Sequence, residues 1–180
     1  MPPDIRCKTC YSNLDMSKII VIAHDMRSTH NVGSLLRTAE GLGIDRVYLT
    51  GYTPYPKTKN DSRLPHIYNK LTKQINKTAL GAETSQIWQH HENITELLGS
   101  IREEGITIIG LEQAEHSTQL PELKVKGDIA ILLGREVEGI SQELMQMCDK
   151  IVEIPMFGKK ESFNVVEAAT MALYHCKLMN

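Results

Sequence analysis

Three stretches of this chain are so continuously apolar that they limit what it can fold into more than any other feature. Residues 18–24 (K-I-I-V-I-A-H), 106–111 (I-T-I-I-G-L) and 128–133 (D-I-A-I-L-L) are short and rich in β-branched or aliphatic residues. A strand with one face in water alternates apolar and polar side chains. The first run does not alternate, so it reads as a strand buried on both faces. Between these runs the hydrophobic period changes to that of a helix. At about 100° per residue, Val32, Leu35, Leu36, Ala39 and Leu42 gather on one side of a helix, with Arg37 nearly opposite. Ile94, Leu97, Leu98 and Ile101 repeat at the spacing of a second amphipathic helix, closing at Gly105. Asn31 is expected to cap the first of these helices and Gly41 or Gly43 to end it. Further strands are expected at 46–50, around Ile87 and Trp88, and at 150–154, with further helices after Ser141 and over 164–179. Residues 51–65 read as a long basic loop, followed by a helical or mixed segment to Leu80; the segment after Leu111, as far as Lys126, reads as a polar loop. Strands alternating with helices imply an α/β fold, a mostly parallel sheet covered by helices on both faces.

With 180 residues and no internal boundary, the chain is expected to form a single domain over 1–180, residues 1–17 being an N-terminal extension. No apolar run approaches the roughly 18 residues that a membrane span needs, and no signal-peptide pattern opens the chain. A cytoplasmic protein with no membrane partner is expected. A net charge of -2 argues against a strongly basic nucleic-acid binder, but the charges are unevenly spread. Lys57, Lys59, Arg63, Lys70, Lys73 and Lys77 stand against the single acid Asp61, while Glu83, Glu92, Glu96, Glu103 and Glu104 stand against Arg102. Such a split lets one face attract phosphates while the total stays near zero, although a solvated loop and helix explain the charges equally well. Cys7 and Cys10 form a Cys-x-x-Cys with no second pair at ligand spacing, so no metal site is expected; Cys176 falls in an apolar helical pattern and reads as core.

The familiar nucleotide fingerprints are missing: no Gly-x-Gly-x-x-Gly follows a strand, no Gly-rich loop ends in Lys-Ser or Lys-Thr, and no Gly-x-Ser-x-Gly elbow occurs. Polar residues gather instead just beyond strands, as Asn31 with Arg37, Gly134 with Glu136, and Ser162 with Asn164. Each has a structural reading of its own, Asn31, Ser162 and Asn164 as helix caps, Arg37 and Glu136 as solvated charges, Gly134 as a turn. Their shared position at strand ends, where open α/β sheets hold their ligands, points to a site.

In order and spacing the three clusters resemble the signature motifs of the SpoU/TrmH-type RNA ribose methyltransferases of the SPOUT superfamily. The matching stretches are N-V-G-S-L-L-R-T-A (31–39), I-L-L-G-R-E-V-E-G-I-S (131–141) and I-P-M-F-G-K-K-E-S-F-N-V-V-E-A-A (154–169). The likeness runs over about 18–176, and Lys77–Glu83 (K-T-A-L-G-A-E) also looks like a family segment. Phe163 departs from the usual Leu, and Val166-Glu167 replaces a small-polar then apolar pair. The resemblance implies a C-terminal deep trefoil knot, which nothing in the periodicity shows. It implies S-adenosylmethionine as methyl donor with no metal, held by Leu111, Glu112, Leu133, Gly134, Ile154, Met156 and Phe163, with Gly134 letting backbone approach the cofactor. It also implies Asn31, Arg37, Glu136, Ser162 and Asn164 as the catalytic set, RNA contacts from Arg63, Lys77, Lys159 and Lys160, and a homodimer.

Methyl transfer to a ribose 2′-oxygen of tRNA or rRNA is an in-line displacement that needs the hydroxyl aligned and its proton removed. An arginine, with a pKa above about 12, is a poor base. Arg37 is therefore expected to position the 2′-hydroxyl and a neighbouring phosphate, with Glu136 orienting Arg37 through a bidentate pair and Asn31 joining the same network. Two alternatives fit the same motifs: an RNA-binding protein of this fold without catalysis, and a base-methylating knotted enzyme.

Overall fold

The computed structural model describes residues 17–124 and 126–178. The apolar run at 18–24 forms β1 (Ile19–His24), which lies between β2 (Arg46–Thr50) and β6 (Ile129–Leu133), with Val21 in register with Val47 on one side and Ile131 on the other. β3 (Trp88–His91) follows outside β2. On the other side come β4 (Thr107–Leu111), β7 (Lys150–Glu153) and the two-residue β5 (Thr118–Gln119). The order is β3-β2-β1-β6-β4-β7-β5, and every pairing is parallel. All seven strands therefore end at one edge of the sheet.

The helices are α1 (Thr29–Gly41), α2 (Pro65–Ala79), α3 (Ala82–Ser85), α4 (Ile94–Glu103), α5 (Gln142–Gln146) and α6 (Val165–Leu178). Successive residues of β1 face opposite ways. Val21 and Ala23 join Leu35, Leu36, Leu49, Ile131 and Leu173 in one core, under α1, α2 and α6; Ile20 and Ile22 join Leu97, Leu98, Ile101, Ile108 and Leu132 in another, under α4 and α5. Each buried aliphatic side chain of this size contributes roughly 1.5–3 kcal/mol. An alternating strand could have filled only one of these cores.

The expected strands and long helices are present. The polar loop after Leu111 differs, because it holds β5 and a 3-10 turn at Leu120–Glu122. Two residues cannot display a period of two, and β5 exists only through its pairing with β7. The cap of α1 also differs. Ser28, with extended backbone, accepts the Asn31 N–H on its Oγ at 3.2 Å, so the helix begins at Thr29 and Asn31 lies inside the first turn. Cys176 is buried in the core beside α1, and burial pushes its thiol up to about 11. Cys7 and Cys10 lie outside the described residues. Among the described residues no helix is long and apolar enough to cross a membrane.

α1 and α2 touch through Gly33. A Cβ there would overlap the Ile75 carbonyl and the Thr78 hydroxyl, which itself donates to the His30 carbonyl at 2.9 Å. Gly33→Ala is expected to destabilise the protein by about 1–3 kcal/mol, because α2 must move to admit one methyl group. Gly99→Ala, in open space on α4, is expected to stabilise by about 0.5–1 kcal/mol through helix propensity. Urea denaturation of the two variants checks both signs.

Candidate active site

β6 delivers the chain into a loop that folds back on itself, the N–H of Arg135 and the carbonyl of Gly139 bonding at 3.1 Å and the reciprocal pair at 3.2 Å. A Cβ on Gly134 would run into the Gly139 carbonyl, so the loop's own backbone is what requires glycine there. Glu112, at the end of β4, braces the same loop: one carboxylate oxygen accepts the Ile140 N–H at 2.8 Å and the other the Gln113 N–H at 3.0 Å. Thus braced, the loop sets the Glu136 carboxylate against the start of α1. There it accepts the N–H of Arg27 (3.0 and 3.2 Å to its two oxygens), the N–H of Ser28 (2.9 Å) and the Asn31 side-chain amide (3.2 Å). Unpaired N–H groups and the positive end of the helix dipole both favour a carboxylate in this position. Partial burial works to raise the Glu136 pKa, but these donors outweigh it and hold the group below its ordinary value.

The third polar cluster joins through asparagine. Asn164 donates from Nδ2 to Asn31 Oδ1 at 3.3 Å, and its own Oδ1 accepts the Val166 N–H at 2.9 Å, so it caps α6 as well as reaching α1. Glu136, Asn31 and Asn164 are thus one hydrogen-bonded chain across three strand ends. Arg37 is not part of it. Six residues beyond Asn31 it is rotated by about 240° around the helix, stands exposed, and lies outside the linings of the cavities described below. The expected Glu136–Arg37 pair is replaced by the bonds of Glu136 to Arg27, Ser28 and Asn31.

Beside this chain opens a cleft of ≈ 310 Å³. Leu111, Leu133, Ile154 and Phe163 supply apolar wall, Gly134 and Ser162 also line it, and Glu153 and Glu161 add carboxylates. Phe163, the departure from the family pattern, is therefore a wall residue, 39% exposed. Met156 lies outside the lining. Among the described residues no group of His, Cys, Asp and Glu side chains could hold a metal ion.

A second polar cluster, not anticipated from the sequence, lies under the same loops. Asp25 has a left-handed backbone (φ 55) and is buried; its Oδ1 accepts the Tyr52 N–H at 3.1 Å, and its Oδ2 meets Arg135 at 3.2 Å and His24 at 3.4 Å. Burial pushes the His24 pKa down against the pull of Asp25. The available signal was the string D-M-R-S directly between a buried strand and a helix. Arg63, expected to contact RNA, is tied into its own loop. It pairs with Asp61 through Nε (2.8 Å) and Nη2 (2.5 Å), donates to the Tyr55 and Pro56 carbonyls, and lies 3.5 Å from the Tyr55 ring centroid. Holding the loop together occupies most of its donors, and its guanidinium keeps the Asp61 carboxyl well below the usual range. Lys77, Lys159 and Lys160 are exposed.

The family model described as the SpoU rRNA Methylase family matches residues 18–174. The 23S rRNA (guanosine-2′-O-)-methyltransferase RlmB of Neisseria meningitidis is 30% identical over 161 residues, which cover 89% of this chain and 58% of that protein. The chain spans between 56% and 58% of the length of the curated relatives it matches. In fold it is similar to the SpoU methyltransferase AviRb of Streptomyces viridochromogenes in complex with AdoMet (TM-score 0.73, 22% identity, 91% of this chain and 58% of that one). It is similar also to the TrmH/SpoU tRNA modifying enzyme of A. aeolicus (TM-score 0.72, 21% identity, 89% and 74%).

Glu136 generates a prediction with a defined pH dependence. Its carboxyl titrates below the ordinary 4.5 in the folded protein, so its stabilisation is complete above about pH 4.5 and fades as the pH falls through the lowered value. Glu136→Gln is expected to cost about 1–3 kcal/mol at pH 7. Urea denaturation at pH 7 and pH 4 should find the gap to wild type smaller at the lower pH.

Proposed function

Because this chain belongs to the SpoU rRNA Methylase family, we propose that it moves a methyl group from S-adenosylmethionine to a ribose 2′-hydroxyl of transfer or ribosomal RNA. The observation that carries this reading is the Glu136–Asn31–Asn164 chain standing beside an apolar cleft at the ends of parallel strands. The named activities of RlmB and of the TrmH-type tRNA modifying enzyme support the reaction class.

The cleft suits the donor. Its volume falls within the range of small-molecule sites, Leu111, Leu133, Ile154 and Phe163 offer surface to an adenosine, and Glu153 and Glu161 suit a cationic ligand. The solved AviRb complex with AdoMet supports the same choice. When bound, S-adenosylmethionine supplies a methyl carbon already activated by its sulfonium. The protein's part is positional. Glu112 and Glu136 fix the loop that walls the cleft, and Asn164 and Ser162 offer hydrogen bonds to cofactor or ribose. Arg37, exposed and outside the cleft of its own chain, holds the 2′-hydroxyl and a neighbouring phosphate at the cleft of a second copy. Lys77, Lys159 and Lys160 take further phosphates, contacts that position RNA without reading sequence.

The reading extends to a trefoil knot and a homodimer in the cytoplasm. The knot is supported by the strand order, in which β6 returns between β1 and β4, and β7 between β4 and β5. The homodimer is supported by large apolar side chains left in water near the cleft and on α6, namely Phe157 (96% exposed), Val137 (86%) and Tyr174 (55%). A homodimer also brings a second copy's exposed groups to each cleft. Light scattering at micromolar concentration is expected to give twice the chain mass; a monomer would contradict this part.

Arg37→Ala should keep S-adenosylmethionine affinity within about threefold by calorimetry and lose at least about 100-fold in tritium transfer to RNA. Retained transfer would overturn its role, and no binding by the wild type would overturn the function.

A further inference from the structure

A second cavity, of ≈ 840 Å³, lies on the far side of the wall that Glu136 holds in place, and neither the cofactor nor the phosphate contacts use it. Its lining includes Arg27, Thr29, Tyr52, Tyr55, Gln74 and Glu92. The segment Arg27–Ser28, whose N–H groups bond Glu136, thus borders this cavity, while Glu136 itself borders the cleft. Tyr52 presents half of its surface to solvent (52%), and the Arg27 side chain, paired with Glu138 at 3.0 Å, is 62% exposed. Flat aromatic and guanidinium groups are the surfaces on which unpaired bases stack. Behind them the floor is rigid. The Tyr55 ring stacks on His90 with centroids 4.0 Å apart, Arg63 sits 3.5 Å from the same ring centroid, and His90 Nε2 bonds the Gly51 carbonyl at 3.2 Å. The loop carrying Tyr52 is fixed from beneath by Asp25, which accepts the Tyr52 N–H and pairs with Arg135 of the loop that walls the cleft. Gln74, Glu92 and Thr29 provide amide, carboxylate and hydroxyl groups of the kind that read a base edge.

We propose that this cavity receives an unpaired RNA base, stacked on Tyr52 and read by Gln74 and Glu92, and that it selects which nucleotide enters the reaction. The inference rests on the methyltransferase reading for its role, since a base held here has its ribose beside the Arg27–Ser28 wall. Its binding chemistry stands independently. A single-stranded or splayed nucleotide is the occupant this lining suits, because a base inside a duplex has its faces stacked and its Watson–Crick edge occupied.

The test uses the four ribonucleoside 5′-monophosphates one at a time, with saturation-transfer NMR on the intact protein. At least one nucleotide should show transfer to its base protons in the wild type, undiminished by saturating S-adenosylhomocysteine. Tyr52→Ala should weaken that affinity by about fivefold to 100-fold, Tyr52→Phe should retain it, and Gln74→Ala should change the ranking of the four nucleotides. Thermal melting of the Tyr52→Ala variant should stay within a few degrees of wild type, since half of the residue faces solvent. No base-proton transfer from any nucleotide, its loss on adding S-adenosylhomocysteine, or equal affinities in wild type and Tyr52→Ala would each overturn the proposal. Methyl transfer that persists while nucleotides fail to bind would sink the base pocket alone. Nucleotide binding without S-adenosylmethionine binding would sink the methyltransferase reading and leave the pocket.

Discussion

The carboxylate of Glu136 seated on the amides that lead into α1 is the contact on which the rest of the site depends. A parallel sheet brings the ends of β1, β6 and β7 to one edge but does not by itself fix the loops that leave them. Glu136 does so for the first two, taking the N–H groups of Arg27 and Ser28 and the Asn31 amide. Asn31 then passes the constraint to Asn164 and so to the start of α6. The donors at the entry to the helix and the acid of the loop complete each other, and both are kept partly out of water, where such bonds are strongest.

The same arrangement divides the strand-end edge in two. On one side of the Arg27–Ser28 segment lies the apolar cleft that Leu111, Leu133, Ile154 and Phe163 wall; on the other lies the cavity bordered by Tyr52 and Gln74. The buried Asp25 links the two, since its oxygens hold both the Tyr52 backbone and the Arg135 side chain. Gly51 is packed so closely on Asp25 that a Cβ would overlap the carboxylate. A shift in either loop is therefore felt by the other, and the two ligands of a transfer reaction would share one rigid partition.

Most of the fold was legible in the chain because its strands are buried and its helices amphipathic. β1, β4 and β6 follow from apolar runs, and α1 and α4 from residues repeating at helical spacing. β5 was not legible, since a two-residue strand carries no period and depends on β7. The site was legible in its membership more than in its bonds. Asn31, Glu136 and Asn164 do converge, whereas Arg37 stands apart because its helical phase turns it away from Glu136. Arg63 reads as a phosphate ligand in sequence, and its pairing with Asp61, two residues away, was not foreseen. Asp25 and Tyr52 gave little warning, because burial of an acid and exposure of an aromatic ring arise only once the loops are folded.

The most direct test of the account is the fate of the methyl group itself. RNA from cells lacking this protein would be incubated with the protein and S-adenosylmethionine carrying a deuterated methyl, digested to nucleosides and read by mass spectrometry. The account predicts the label on a single 2′-O-methyl nucleoside, with the base unchanged. A label on the base, or no label transferred to RNA at all, would contradict it.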